Sequence, residues 1–396
     1  MNESKLRVGV IGAGAVVREI YQHLYFKSDY SEWLSISAVA VRNEAVRNWF
    51  GDLAGLPANR RFKSYGEMLE SVELDAVQVN TPDDLHYAPT VAALKLGLDV
   101  VVPKPLASSV KDAHEMIQAA KAAQRFLGVD FHKREDPRIR EAQARFQSGR
   151  YGQFQAAIFY MLDKLMVADP NHAPRFFASP DFAAKNTPIS FLTVHMADAL
   201  MQIVKLAPRK VRATGHAHKL PALKPIPVNG YDLVDTEIVF ENGGTAHILT
   251  GWALPNSAWS TTVQSARLIC SEGLIDLGLD TPGLREIVGD GVSEVNPLFR
   301  NFGPDGRVTG YGIDSPGRLY RQILARRSGL LSREDLEAAL SPSSLGFYAT
   351  LILEAAHRSL AGGEKMGSGS TVGTSIDLRT VLSEELGPAA GSYLSV

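Results

Sequence analysis

Over the first third of the chain, short apolar runs alternate with longer stretches whose apolar residues recur at helical spacing. Five runs predict buried strands, at 6–11, 34–41, 75–80, 99–102 and 126–131. The stretches between them predict helices, at 44–55, 65–72, 87–97 and 110–125. This order is typical of a parallel sheet covered by helices. Residues 1–131 are therefore predicted to form an α/β domain.

The pattern changes after residue 132, where a predicted helix over 135–147 is followed by period-two alternation. Alternating runs predict strands at 154–162, 209–218, 234–240, 245–253, 260–270 and 284–288. Several of these runs are separated by turn residues, so the sheet is predicted to be open and mostly antiparallel. Helices predicted at 189–205, 316–327 and 343–361 would cover one face of it. Residues 132–396 are thus predicted to form a second, α+β domain.

Three segments lack a clear period. Residues 166–186 and 292–315 fit substrate loops and plain surface connections equally well. The tail over 364–396 is expected to pack back on the body or on a partner subunit.

Composition narrows the class of protein. A chain of 396 residues exceeds the size at which one core keeps growing, which agrees with two domains. The net charge of −2 and the lack of a basic run indicate neither a nucleic-acid nor a membrane-surface partner. No uninterrupted apolar segment reaches the roughly 18 residues of a membrane span. The single cysteine, Cys270, fits a reducing compartment, so a cytoplasmic location is expected. No cluster has metal-ligand spacing, and no metal is expected.

The first strand ends in a glycine turn that opens a helix. The segment that follows the strand reads Gly12, Ala13, Gly14, Ala15, Val16 and Val17. A G-x-G turn at the start of a helix lets backbone N–H groups and the positive helix end receive a pyrophosphate. Val17 stands where the fingerprint prefers Gly or Ala, and an ordinary strand-to-helix turn is the alternative. We expect residues 12–16 to bind a dinucleotide in a Rossmann domain.

The end of the second strand indicates which dinucleotide. Val41 stands where an Asp for the ribose 2′-hydroxyl of NAD is usual, and Arg42 and Asn43 follow it. A guanidinium without a carboxylate suits a 2′-phosphate, so NADP is favoured over NAD. The alternative for Arg42 is a solvated surface charge.

Polar residues also follow the next two strands. Asn80, Thr81, Pro82 and His86 follow one strand, and Lys104 and Pro105 follow the other. Open α/β sheets bind ligands at this edge, so all six are candidates for cofactor binding. Lys104 lies between two prolines, and a rigidly held lysine is a plausible proton donor to a carbonyl that accepts hydride. The alternative is a surface lysine in a loop.

These motifs, together with His195-x-x-Asp198, resemble those of the Gfo/Idh/MocA oxidoreductases, from the N-terminus to about residue 275 and again over 343–361. The resemblance implies a nicotinamide-dependent oxidoreductase that acts on sugars, polyols or keto-sugars. It also implies a homodimer or homotetramer formed through the open sheet of the second domain. Lys104 would lie close to both nicotinamide and substrate, and His195 would be the active-site histidine.

The spacing of His195 and Asp198 alone fits catalysis and a structural pair equally well. Candidates to bind substrate hydroxyls are His132, Lys133, Lys164 and Asp198.

The sequence departs from the family at three points. Pro103 replaces the Glu of the Glu-Lys-Pro motif, and Phe191 replaces a frequent Asp four residues before the histidine. Within a Gly-Phe-Asn-Arg-Arg element, His132 and Lys133 replace Asn and Arg.

We expect hydride transfer between nicotinamide and a sugar-like substrate, with Lys104 and His195 handling the hydroxyl proton. One alternative is a glycosidase that oxidises its substrate transiently with bound NAD and cleaves by elimination. A second is a regulatory protein that binds dinucleotide and sugar without chemistry.

Overall fold

A computed structural model describes residues 5–177, 179, 181–280, 284–288, 291–387, 390 and 393–394. The chain divides into two compact units. The first unit comprises Met1–Asp136 and Leu298–Phe347, and the second comprises Pro137–Pro297 and Tyr348–Val396.

The strands are numbered in chain order. They are β1 Leu6–Ile11, β2 Leu34–Ala40, β3 Arg61–Phe62, β4 Ala76–Val79, β5 Asp99–Pro103, β6 Leu127–Asp130, β7 Phe154–Lys164, β8 Pro208–His216, β9 Leu233–Phe240, β10 Thr245–Leu254, β11 Thr262–Cys270, β12 Gly273–Gly278, β13 Leu284–Val288, β14 Gly291–Val295, β15 Asn301–Phe302, β16 Val308–Thr309, β17 Glu364–Lys365, β18 Ser370–Val372 and β19 Ile376–Asp377.

The α-helices are numbered in the same way. They are α1 Gln22–Lys27, α2 Glu44–Leu53, α3 Tyr65–Ser71, α4 Tyr87–Lys95, α5 Val110–Ala123, α6 Pro137–Gln147, α7 Phe182–Lys185, α8 Val194–Val204, α9 Tyr311–Arg327, α10 Arg333–Ala339, α11 Phe347–Ala361 and α12 Leu378–Leu386. Two π-helical turns, Val17–Tyr21 and Ile189–Thr193, directly precede α1 and α8.

The first unit contains a parallel sheet of six strands in the order β3-β2-β1-β4-β5-β6. This confirms the predicted Rossmann domain, including the five strands read from the sequence. Only β3, with two residues, lacked a sequence signal. Caps set the helix boundaries, since the side chains of Asn43 and Ser109 accept hydrogen bonds from the first turns of α2 and α5.

Helix α9 belongs to the first unit, which corrects the prediction that 316–327 covers the second sheet. The helix begins at Tyr311, and its apolar face packs into the core of the parallel sheet through Ile313, Tyr320 and Ile323. The observed units therefore differ from the predicted domains, which placed the boundary between residues 131 and 132. The first unit extends to Asp136, and it also includes the later segment Leu298–Phe347.

Two ion pairs attach the end of α9 to the strands. Arg326 contacts Asp99 at 2.5 Å, and Arg327 contacts Asp75 at 2.6 Å. The Asp99 side chain is fully buried, and burial raises the pKa of this carboxyl in spite of the adjacent guanidinium. The pair therefore holds a carboxylate that water cannot reach.

The second unit contains one large sheet in the order β12-β11-β7-β10-β9-β8-β18-β17, with β19 also paired to β8. All pairs are antiparallel except β10 with β7. This confirms the predicted α+β domain with a mostly antiparallel sheet. The hairpin between β9 and β10 turns at Gly243, whose φ of +83° is a conformation that glycine adopts without strain.

Two details of the second unit differ from the sequence reading. The strand predicted at 284–288 forms, but it pairs with β14 rather than with the large sheet. The described part of the tail supplies β18, β19 and α12, and it packs on β8 within its own unit. Among the described residues, no helix has both the length and the apolar character needed to cross a membrane.

We predict that Arg326→Met destabilises the first unit by about 3 kcal/mol, because it leaves the buried Asp99 carboxylate without a cation. Urea unfolding of the variant measures the change. Arg333→Met is the control, because Arg333 pairs at the surface with Glu337 and its loss is worth about 0.5 kcal/mol or less. The double variant Asp99→Asn with Arg326→Met is expected to recover part of the loss. An unchanged urea midpoint in Arg326→Met would contradict the assignment.

Candidate functional site

The glycine turn after β1 is shaped by a close approach of two backbone segments. Gly12 has a φ of +86°, and a Cβ built on it would lie 2.5 Å from the carbonyl oxygen of Asn80. Gly14 is exposed, and a Cβ there would meet no atom within 4 Å. Position 12 therefore requires glycine for internal packing, whereas position 14 leaves open space above the backbone at the start of the helix.

The residue that departs from the fingerprint has a packing role. Val17 is fully buried in the core of the first unit and begins a π-helical turn, Val17–Tyr21. The wider turn is a local adjustment of the helix, and such turns are frequent at functional sites.

A buried row of hydrogen bonds supports the turn from below. The Tyr320 hydroxyl donates to Gln78 at 2.5 Å, the Gln78 amide donates to Asn80 at 3.2 Å, and the Asn80 amide donates to the Gly12 carbonyl at 3.4 Å. The row fixes the Asn80 side chain under the glycine turn. Asn80 is buried in this position, and its contact with a cofactor stays a prediction.

His86 connects two of the predicted loops. Its ring is completely buried, with Nδ1 2.9 Å from the Pro105 carbonyl oxygen and Nε2 3.1 Å from that of Thr81. This differs from the expectation that His86 itself contacts a cofactor. The imidazole instead holds the loops after β4 and β5 together.

Lys104 follows β5 directly, and the Lys104–Pro105 peptide bond is cis. Its backbone N–H donates to the Asp130 carbonyl at 3.2 Å, in register with the pairing of Pro103 and Asp130. The Lys104 side chain is partly exposed. The lysine therefore lies at the carboxyl edge of the sheet, beside the end of β6.

Arginines surround the end of β2. Arg42 is exposed, and the Arg47 guanidinium donates to the Val41 carbonyl at 2.8 Å. The Arg18 guanidinium lies 4.2 Å from the centre of the Trp49 ring. Arg47 therefore lies beside Arg42 at the end of β2, and Arg18 packs on the following helix α2. Sequence reasoning missed Arg18 and Arg47, because their helical positions look like ordinary surface charges.

The predicted residues of the first unit divide by exposure. Those at least partly exposed are Gly12, Gly14, Ala15, Val16, Arg42, Asn43, Thr81, Pro82, Lys104 and His132, whereas those buried are Ala13, Asn80, His86, Pro105 and Lys133. Burial of Lys133 differs from its expected contact with a substrate hydroxyl. The exposed residues follow the ends of β1, β2, β4, β5 and β6, which is one edge of the sheet.

His132 is bonded to a carboxylate that the sequence reading overlooked. Its Nε2 lies 2.8 Å from an oxygen of Asp130, whose side chain is fully buried. An acidic residue inside the apolar run Val129–Phe131 was the available signal.

In the second unit, the predicted histidine lies on α8, just after a π-helical turn. Asp198 is buried and His195 is partly exposed on the same helix. Thr187 precedes the turn, and its hydroxyl lies 2.8 Å from Nε2 of His357 on α11. Burial lowers the pKa of His357 to about 4, so this imidazole is neutral at pH 7.

Phe191 belongs to a cluster of aromatic rings. Its ring centre lies 5.1 Å from that of Phe182 and 5.6 Å from that of Trp252, and Phe182 stacks on Phe177 at 3.9 Å. The position where the family often has Asp is thus part of an apolar surface. Lys164 ends β7, and its N–H donates to the Thr261 carbonyl at 2.9 Å.

The described residues contain no group of three or more His, Cys, Asp or Glu side chains placed to hold a metal ion.

The strand order, the glycine turn and the polar edge define a dinucleotide-binding Rossmann domain. Residues 6–131 match the sequence model of the Gfo/Idh/MocA family, described as an oxidoreductase family with an NAD-binding Rossmann fold. The match confirms the resemblance read from the motifs. Residues 6–131 are thus similar to the NAD-binding Rossmann domain of the Gfo/Idh/MocA oxidoreductases, and this match covers about the first third of the chain.

Several characterised proteins are similar to this chain. The 1,5-anhydro-D-fructose reductase of Ensifer adhaerens is 29% identical over 214 residues, covering 53% of this chain and 60% of the reductase. The match therefore spans less than two thirds of that enzyme. An inositol 2-dehydrogenase of Mycolicibacterium smegmatis is 23% identical over 365 residues, covering 91% of this chain and 95% of that protein.

Solved structures share the fold. Scyllo-inositol dehydrogenase from Lactobacillus casei, with bound NAD(H) and scyllo-inositol, gives a TM-score of 0.71 at 15% identity and covers 95% of this chain and 99% of its own. An inositol dehydrogenase homologue from Azotobacter vinelandii, in complex with NADH and myo-inositol, gives 0.70 at 18% identity, with coverages of 95% and 98%.

We predict that the second unit loses stability between pH 6.5 and about 4, because unfolding lets His357 take up a proton that its buried site rejects. The contribution is complete above pH 6.5 and falls by up to about 1.4 kcal/mol per pH unit below it. Urea titrations at pH 7, 6 and 5 of the unaltered chain and of His357→Gln measure it. His218→Gln, at an exposed position, is the control. The prediction would be contradicted if the free energies of unfolding of the unaltered chain and of His357→Gln differed by the same amount at every pH.

Proposed function

We propose that this protein transfers hydride between a nicotinamide dinucleotide and a hydroxyl or carbonyl carbon of a sugar, polyol or keto-sugar. The observation that carries the proposal is the open glycine turn at Gly12 and Gly14, on the same sheet edge as Lys104. At the turn, the helix N-terminus can bind a pyrophosphate. At the same edge of the sheet, the ammonium of Lys104 can donate a proton to the reacting oxygen.

The residues present fit a dinucleotide. The space above Gly14 lets phosphate oxygens approach backbone N–H groups, which a side chain at this position would obstruct. Ala15 and Val16 follow in the first helical turn, and Asn80 and Thr81 approach Gly12 from the end of β4, with Pro82 next in the chain. When bound, the nicotinamide accepts or returns the hydride.

The chain's own residues would manage the proton. In the oxidative direction, Nζ of Lys104 takes the proton of the substrate hydroxyl, and in reduction it returns that proton to the carbonyl oxygen. His195 is proposed to hydrogen-bond the same oxygen. Asp198, Lys164 and His132 are proposed to contact other substrate hydroxyls. Similarity to the reductase and to inositol dehydrogenases supports a polyhydroxylated substrate.

NADP is the proposed cofactor. Arg42 is exposed at the end of β2, Asn43 caps the following helix, and Val41 supplies no carboxylate to oppose a phosphate. The nearby Arg18 and Arg47 add to the positive charge. This arrangement favours a 2′-phosphate over a free 2′-hydroxyl.

We also propose that the large sheet of the second unit joins two copies of the chain. Ile158, Ile269 and Leu274 lie on one face of β7, β11 and β12 and are 50%, 37% and 51% exposed. Contiguous exposed apolar side chains of this kind are typical of protein interfaces.

The proposed function predicts that Lys104→Met lowers turnover by about 10²- to 10⁴-fold, since the hydroxyl proton loses its acceptor. Turnover is followed as absorbance of reduced nicotinamide on a panel of sugars and inositols. Cofactor affinity, measured by fluorescence titration, is expected to stay within about twofold. Lys95→Met is the control, because Lys95 is exposed at the end of α4.

Other outcomes would select other functions. Cleavage of a glycoside without accumulation of reduced cofactor would indicate transient oxidation and elimination. Binding of dinucleotide and sugar without any turnover would indicate a regulatory protein. Full activity of Lys104→Met would remove the lysine from the mechanism.

Arg42→Ala is predicted to raise KM for NADP about tenfold, or about 1.4 kcal/mol, with little effect on KM for NAD. The physical reason is the loss of the charge that faces the 2′-phosphate. Steady-state kinetics with both cofactors measure the ratio. Arg209→Ala serves as a control for net charge, because Arg209 is exposed in the second unit. Equal effects on both cofactors would count against the assignment.

A further inference from the structure

Asp130 is a buried carboxylate with three hydrogen-bond donors. The Tyr21 hydroxyl lies 2.6 Å from one oxygen, Nε2 of His132 lies 2.8 Å from the same oxygen, and the Ser315 hydroxyl lies 2.5 Å from the other. The Asp130 side chain is 0% exposed. The ends of three segments of the first unit therefore meet on this group.

These contacts fix which nitrogen of His132 carries a hydrogen. Burial, reinforced by the Asp130 carboxylate, raises the pKa of Tyr21 well above its usual value, so the phenol keeps its proton and donates it. An ionised carboxylate can only accept. Nε2 of His132 is consequently the N–H nitrogen, and Nδ1 is the atom able to take up or release a proton.

The other nitrogen of His132 is accessible. The imidazole is 15% exposed, and Nδ1 has no hydrogen-bond partner within the part of the chain that the structure describes. The ring packs edge-on to Tyr21 and tilted against Phe299, with centre distances of 6.4 Å and 5.6 Å. The ring is thus held in place while Nδ1 stays available.

His132 is also the group in this cluster that can balance the carboxylate. Tyr21 and Ser315 donate as neutral hydroxyls, and a buried carboxylate is costly without a cation. The nearby Arg318 is engaged by Glu135 at 2.6 Å. Among the three groups that bond Asp130, only the imidazole can carry a positive charge.

Asp130 and His132 lie at the end of the strand next to the one that Lys104 follows. The Lys104 N–H donates to the Asp130 carbonyl at 3.2 Å, and β5 and β6 are parallel neighbours. Lys104 and His132 therefore follow hydrogen-bonded strand ends on the same edge of the sheet. Asp130 and His132 also stand at the Gly and Asn positions of the Gly-Phe-Asn-Arg-Arg element, so two of the three departures from that element contact each other.

We propose that His132, positioned by Asp130, exchanges the reaction proton between Lys104 and solvent. This inference rests on the proposed function. In the oxidative direction the substrate O–H bond breaks and its proton moves to Nζ of Lys104. That proton then passes to Nδ1 of His132 and from there to water, and the imidazole returns to its neutral form. Reduction runs the same transfers in reverse, and Asp130 neither gains nor loses a proton in them.

The experiment compares His132→Ala, Asp130→Asn, Lys104→Met and the unaltered chain, with His218→Ala as a control at an exposed histidine. We expect kcat of His132→Ala to fall at least tenfold with cofactor affinity unchanged, and added imidazole to restore turnover in proportion to its concentration. Asp130→Asn is expected to lower kcat similarly. Turnover of His132→Ala within twofold of the unaltered chain, or a loss that imidazole does not restore, would overturn the proposal.

A second measurement does not depend on turnover or on the folding of a variant. Nitrogen-15 NMR of histidine-labelled unaltered protein is expected to show His132 protonated at Nε2 in its neutral form. A neutral ring protonated at Nδ1 would overturn the inference. Activity in Lys104→Met would show instead that the proposed function has failed, whereas an inactive Lys104→Met beside a fully active His132→Ala would exclude only the role of His132.

Discussion

The close approach of the backbone at Gly12 to the carbonyl of Asn80 is the constraint on which the site depends. Because a Cβ at position 12 would lie 2.5 Å from that oxygen, the ends of β1 and β4 can meet only through glycine. The contact directs the turn outward and leaves Gly14 open at the start of the helix. The hydrogen bonds from Tyr320 through Gln78 to Asn80 keep that approach in place. The shape of the proposed phosphate site is therefore set by packing beneath it.

Helix α9 supplies hydrogen-bond and ion-pair partners to buried polar groups on the strands of the first unit. Its polar side chains reach three buried groups of the sheet: Tyr320 bonds Gln78, Ser315 bonds Asp130, and Arg326 pairs with Asp99. Burying such groups without partners would cost about 1–3 kcal/mol each, and more for the carboxylates. A Rossmann domain that ended at residue 131 would lose one donor to Gln78, one donor to Asp130 and the cation that pairs with Asp99. The segment 298–347 is for this reason part of the domain.

The sequence predicted local structure better than long-range partners. Apolar runs placed all five longer strands of the parallel sheet, and the glycine turn predicted the edge at which the candidate residues lie. The same patterns could not assign 316–327 to a sheet, because an apolar helical face fits either one. The burial of His86 and Lys133 could not be predicted either. A polar residue at a strand end is expected to be exposed unless its partners are known. For Asp130 the sequence does carry a signal of burial. A single acidic residue in an apolar run predicts a buried carboxylate that needs a partner, but it does not identify that partner.

The departures at Pro103 and Phe191 remove carboxylates from two places where the family often has them, and the structure shows what occupies each neighbourhood. Phe191 joins Phe182 and Trp252 in an apolar cluster, so no charge is buried there without a partner. At the edge of the first unit, the carboxylate is Asp130 at the end of β6, one strand away from Lys104. Since parallel strands end on a common edge, a carboxylate on the adjacent strand still lies at the edge where the proposed reaction takes place. In the proposed mechanism, His132 links the buried Asp130 carboxylate to Nδ1, the nitrogen that exchanges the proton.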